Sequence, residues 1–103
     1  MSIIKVVYFS GSGNTKSLAE SVNAGASKSA ESELMEITGE MIVNGRFKND
    51  DFLEKLDQAD AMIFGTPTYM GMVSGQMKCF FDGTSQRWFQ GAWNSKLAAG
   101  FTT

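Results

Sequence analysis

Residues 3–9, Ile-Ile-Lys-Val-Val-Tyr-Phe, run directly into Ser10-Gly-Ser-Gly-Asn-Thr15. This junction constrains the fold more than any other stretch of the chain. An almost unbroken apolar run fits a strand covered on both faces, as in the middle of a parallel sheet. Lys5 interrupts it, and is expected to bury its stem and carry its charge to solvent. Beyond the loop, Leu18, Ala19, Val22 and Ala26 fall at helical spacing and predict a helix over 14–29. A helix start leaves backbone N–H groups unpaired and is partly positive. Gly11 and Gly13 allow a tight turn and close approach of a ligand, and Ser10, Ser12 and Thr15 add hydroxyls. Such a loop suits one phosphate dianion. An ordinary cap and a glycine turn use the same residue types. A cap needs one such residue or a box of two, however, and here six stand in a row. The spacing is neither Gly-x-Gly-x-x-Gly, since position 16 is Lys, nor Gly-x-x-x-x-Gly-Lys-Ser/Thr, since Lys16-Ser17 follows Gly11 too closely.

The rest of the chain continues the alternation. Residues 33–37 suit a short strand, with Leu34 and Ile37 toward the core, at a sheet edge. Residues 39–49 read as an irregular connection. Asp50 to Gln58 reads as a helix burying Phe52, Leu53 and Leu56, its two leading aspartates complementing the helix dipole. Ala59 to Gly65 is the next strand, Ser74 to Phe81 the next helix, and 82–95 a loop or broken helix carrying Trp88 and Trp93. Lys96 to Thr103 begins a fourth strand. Strands alternating with helices imply an α/β fold with an open parallel sheet and right-handed crossovers.

With 103 residues, 43% hydrophobic and 19% charged, the chain is expected to be one small domain at most and can build a core. Its net charge of −2 and scattered cations argue against a nucleic-acid surface. No apolar run approaches the ~20 residues of a membrane span, and no secretory leader is apparent. The single cysteine, Cys79, permits no internal disulfide and suits a reducing cytoplasm. Histidine is absent, which removes the usual general base and the usual metal ligand. Any redox or transfer chemistry must then be carried by a cofactor. Met35, Met41, Met62, Met72 and Met77 read as core filler.

In open α/β sheets, ligands bind beyond the carboxyl ends of the strands where the winding reverses. The first and third strands flank that point in a 2-1-3-4-5 sheet. The third strand ends in Gly65-Thr-Pro-Thr-Tyr-Met-Gly71, where Tyr69 and Met70 could receive a flat ring system.

With both loops in view, the chain resembles the flavodoxin superfamily. Ser10-Gly-Ser-Gly-Asn-Thr15 is similar to the flavodoxin phosphate loop. Gly65–Gly71, Ser74-Gly-Gln-Met-Lys78, Phe81-Asp82, Trp88, Gly91 and Lys96-Leu97 resemble the WrbA-type branch, which contains FMN-dependent NAD(P)H:quinone oxidoreductases. The likeness spans the chain, is diffuse between residues 25 and 58, and is specific in the two loops. It implies FMN as cofactor, with Ser10, Ser12, Gly13, Asn14 and Thr15 on the phosphate. Pro67, Thr68, Tyr69, Met70 and Gly71 would lie along the ribityl chain and ring, Thr102 and Thr103 would open a third flavin loop, and Trp88 would stand where a quinone or nicotinamide docks. It further implies NAD(P)H and a quinone or a redox protein as partners, and a homo-oligomer. Ser12 stands where the branch often has a bulky residue, and Tyr69 where it often has Arg. The family pattern also continues past Thr103, so residues 1–103 are expected to form the N-terminal portion of a flavodoxin-like domain, in the order 2-1-3-4 with the fifth strand missing.

Two other functions compete. A flavodoxin-type electron carrier shares the loops but usually bears a strongly acidic docking face, which a charge of −2 does not supply. A phosphatase on a similar fold would need Cys-x5-Arg, yet position 85 is Ser and the first arginine after Cys79 is Arg87. A receiver-like domain would need acidic residues at the end of the first strand, and there are none.

Overall fold

The computed structural model describes residues 2–103, apart from the side chain of Trp88. Strands β1 (Ile3–Tyr8), β2 (Glu31–Glu36), β5 (Ala61–Thr66) and β8 (Leu97–Thr102) form a four-stranded parallel sheet in the order β2-β1-β5-β8. Helix α1 (Asn14–Ala26) connects β1 to β2, and α2 (Asp50–Asp57) leads to β5. Helices α3 (Gly75–Gly83) and α4 (Ser85–Gln90) lead to β8. This is the expected flavodoxin-like arrangement, and it makes β1 and β5 the inner strands.

The two sheet faces carry different cores. Under α1, Val6, Tyr8 and Ala19 are buried, with Ile4, Val22, Leu34, Ile63 and Phe101 packed around them. Leu18 of α1 is exposed rather than buried. On the opposite face, Val7, Met35, Ile37 and Met62 meet Phe52, Leu53 and Leu56 of α2 and Met77 and Phe80 of α3. Val6 and Val7 thus bury opposite faces of one strand, as a central parallel strand requires. Met35, Met62 and Met77 are core as expected, whereas Met72 is exposed on a hairpin. Lys5 lies opposite Glu33 in register, with Nζ 2.6 Å from Oε1.

The segment expected to be irregular contains a one-turn 3-10 helix (Gly39–Met41) and a hairpin, β3 (Ile42–Val43) with β4 (Arg46–Phe47). Its turn, Asn44-Gly45, has φ of 52° and 77°, the positive pair of a tight hairpin turn. Phe47 of this hairpin packs on α3 at Gly83, where a Cβ would come within 3.0 Å of the Phe47 Cβ.

Gly65 sits opposite Phe101 across β5 and β8. A Cβ at Gly65 would lie 2.2 Å from the Phe101 ring, so the ring occupies the space a side chain would take. Gly65→Ala is expected to cost about 1–3 kcal/mol by overpacking and to displace the end of β8. Denaturant unfolding checks the first effect.

Asp57 at the end of α2 is bound twice by Arg87, Nε to Oδ1 at 2.8 Å and Nη2 to Oδ2 at 3.0 Å, and by Trp93 Nε1 at 2.6 Å. Lys96 Nζ donates to the Asp57 carbonyl at 2.9 Å and to the Ala59 carbonyl. These bonds tie α2 and α4 to the start of β8. The Arg87 hydrogen bond, reinforced by Trp93, holds the Asp57 carboxyl below its ordinary range, and the Lys5 hydrogen bond does the same for Glu33. A carboxylate depressed in the folded state stabilises the fold above its unfolded pKa and loses that contribution as pH falls through its folded value. Stability is therefore expected to decline on acidification below about pH 4, with a shallower decline in Asp57→Asn. Thermal melts from pH 7 to pH 3 check this.

Candidate functional site

The carboxyl ends of β1, β5 and β8 lie side by side, and the loops that follow them are linked by hydrogen bonds. After β1, Ser10 Oγ accepts from Gly13 N at 3.1 Å and from Lys16 N at 3.2 Å. Both lone pairs of that oxygen are then engaged, and its own proton is free to donate outward. Gly13 caps α1 with φ of 102°, a left-handed conformation that glycine adopts without strain. Among the described residues, the N–H groups of Gly11, Ser12, Asn14 and Thr15 have no acceptor on the chain. No acidic residue stands in the first turn of α1. Unclaimed donors at a helix N-terminus, with a free hydroxyl proton and no opposing charge, have the chemistry to take a phosphate dianion. At the end of β1, burial and the charges of Glu36 and Glu20 raise the Tyr8 phenol's pKa, so it stays neutral.

The second loop is a hairpin, β6 (Thr68–Tyr69) and β7 (Met72–Val73), turning at Met70-Gly71 with φ of 52° and 74°. Methionine in this left-handed region costs about 1–2 kcal/mol. Pro67 is buried, while the Met70 side chain is 100% exposed and touches none of the other candidates. Tyr69 reaches back to the first loop: a Cβ on Gly11 would meet its hydroxyl at 2.5 Å, so the phenol lies against that glycine. At the base of the hairpin, buried Ser74 caps α3 through Met77 N at 3.1 Å, and its own N–H donates to Thr66 Oγ1 at 3.0 Å.

The third element is the end of β8. Thr102 Oγ1 pairs with Thr68 Oγ1 and donates to the Thr66 carbonyl at 2.9 Å. Thr68 N donates to the Thr103 carbonyl at 3.1 Å, and Thr103 Oγ1 lies 2.8 Å from Thr15 Oγ1. The structure thus brings together Ser10, Ser12, Gly13, Asn14, Thr15, Thr68, Tyr69, Thr102 and Thr103 around three strand ends. Trp88 belongs to α4, and the expectation placed on its side chain lies outside the described residues. Gly11, expected to allow close approach of a ligand, receives the Tyr69 phenol, and Thr66 and Ser74 join the site as supports to which the sequence reading gave no role. Among the described residues, no group of His, Cys, Asp and Glu is placed to hold a metal ion, and no helix is long and apolar enough to cross a membrane.

A family model described as NADPH-dependent FMN reductase matches residues 4–103. The chain is 43% identical over 102 residues to a protein named Flavodoxin FldP from Pseudomonas aeruginosa (strain UCBPP-PA14), covering 99% of this chain and 50% of that protein. It is 34% identical over 115 residues to an NAD(P)H dehydrogenase (quinone) of Syntrophus aciditrophicus (strain SB), covering 97% of this chain and 57% of that one. The crystal structure of a WrbA-like flavodoxin from Agrobacterium tumefaciens superposes with a TM-score of 0.84 at 44% identity, over 99% of this chain and 59% of that one. The chain belongs to the NADPH-dependent FMN reductase family and to its WrbA-like flavodoxin branch. The cofactor of this family is FMN. The chain spans about half the length of the curated relatives it matches.

Proposed function

We propose that this chain holds FMN at the three strand ends and works in an NAD(P)H:quinone oxidoreductase, carrying electrons from NAD(P)H to a quinone. The observation that carries this reading is the set of unclaimed N–H groups on Gly11, Ser12, Asn14 and Thr15, with the Ser10 proton beside them. Bound FMN would accept hydride and deliver electrons. The chain's residues bind and orient it. Ser10, Ser12, Gly13, Asn14 and Thr15 surround the phosphate. By the resemblance, Pro67, Thr68, Tyr69, Met70, Gly71, Thr102 and Thr103 would line the ribityl chain and ring, and Trp88 would stand where the second substrate docks. With no histidine in the chain, no side-chain proton shuttle of that kind is invoked. The lone cysteine supports a reducing compartment such as the cytoplasm, and the resemblance supports a homo-oligomer.

A second reading, an electron carrier without its own turnover, is favoured by the 43% identity to a protein named as a flavodoxin. Steady-state oxidation of NAD(P)H by the FMN-loaded chain, with and without benzoquinone, separates the two. Quinone-dependent turnover supports the oxidoreductase. Flavin that is retained but not reduced by NAD(P)H supports the carrier.

A further inference from the structure

Thr15 Oγ1 and Thr103 Oγ1 lie 2.8 Å apart, joining the first turn of α1 to the end of β8 across 88 positions of sequence, and either oxygen can donate. Thr15 is only 2% exposed, whereas Thr103 faces solvent. Two hydroxyls carry two protons but share one bond, so one proton is always left over. If Thr15 donates, the spare proton sits on Thr103, where water can take it. If Thr103 donates, the spare proton sits on buried Thr15, where leaving it unpaired is costly. That second state needs an acceptor at the N-terminus of α1.

We infer that Thr103 is a positioning residue for anion binding: when the FMN phosphate arrives, the pair reverses, Thr103 donates to Thr15, and the Thr15 proton turns to a phosphate oxygen. This rests on the proposed phosphate assignment. The reversal moves two hydroxyl protons and no heavy atom. A hydroxyl that is accepting a bond is also a stronger donor, so the chain of bonds reinforces itself. Thr103 is held for this task by the second loop, since its N–H donates to the Thr66 carbonyl at 3.3 Å and its carbonyl accepts from Thr68 N at 3.1 Å. Thr15 alone would have its proton free to rotate; Thr103 gives it a direction.

The test is the ratio of riboflavin to FMN dissociation constants, measured by flavin fluorescence quenching for the native chain, Thr103→Val and Thr103→Ser. Thr103→Val keeps the size but removes the hydroxyl, and the ratio is expected to fall about tenfold, the scale of one hydrogen bond to a charged group. Thr103→Ser is expected to restore it. In a Thr15→Val background, Thr103→Val should change the ratio no further. A merely structural role would weaken both ligands alike and leave the ratio unmoved. An unchanged ratio in Thr103→Val, beside a high ratio in the native chain, overturns the inference alone. So does a fall that serine fails to rescue. A native chain that binds riboflavin as well as FMN overturns the phosphate assignment and the inference together.

Discussion

Phe80→Ala is expected to cost about 3–5 kcal/mol, the usual scale for deleting a buried phenyl ring. Phe80 is fully buried, and its ring meets Phe47 at 5.2 Å, Phe52 at 5.8 Å, Phe81 at 5.9 Å and Phe64 at 6.1 Å between centroids. It joins α2, α3, the β3–β4 hairpin and β5 at one point. It also forms part of the wall of a groove of about 480 Å³ lined by Met62, Phe64, Phe81, Trp93 and Leu97, so the cavity left by alanine would open to this groove. Leu97 beside it is 73% exposed on the edge strand β8. A loss on that scale is a large share of natural stabilities, which are about 5–15 kcal/mol. Urea unfolding followed by far-ultraviolet circular dichroism should show the cooperative transition lost or moved far toward zero urea. A change below about 1 kcal/mol, far under that scale, would mean the aromatic cluster is not the core of this face.

Ser10→Ala is expected to weaken FMN binding about 10- to 100-fold while changing riboflavin binding little. Ser10 Oγ organises the loop by accepting from Gly13 N and Lys16 N, which leaves its proton free to donate to the proposed phosphate. Hydrogen bonds to a charged group contribute about 1.5–3 kcal/mol each, and 1.4 kcal/mol corresponds to about tenfold in affinity. Riboflavin lacks the phosphate and should register only the loosening of the loop. Equal losses for both ligands would assign Ser10 to loop folding alone.

Much of this molecule is legible from residue order. The apolar run before Ser10, the helical spacing of Phe52, Leu53 and Leu56, and the loops after residues 9 and 65 lead to the observed sheet, because strand burial and helix amphipathicity are local signals. The β3–β4 hairpin, where the sequence reads as an irregular connection, also carries a local turn signal, Asn44-Gly45 between Ile42-Val43 and Arg46-Phe47. Other features are not local. The bonds from Arg87 and Trp93 to Asp57 cross 30 and 36 positions, and no pattern in the chain announces them. Gly65 fits its place only because Phe101 covers it from a neighbouring strand. Met70 adopts a positive φ where sequence rules favour Gly or Asn. The hydroxyl types at Thr15, Thr68, Thr102 and Thr103 suggest a polar site, but their pairing with one another, and the near-complete burial of Thr15, follow from how three strand ends converge.

A titration of the purified chain with FMN and with riboflavin, read by quenching of flavin fluorescence, tests the phosphate site itself. FMN is expected to bind saturably, and riboflavin more weakly by at least about 100-fold, the scale of two hydrogen bonds to a dianion. Equal affinity for the two flavins would contradict it, because the donors at the start of α1 would then not be holding a phosphate.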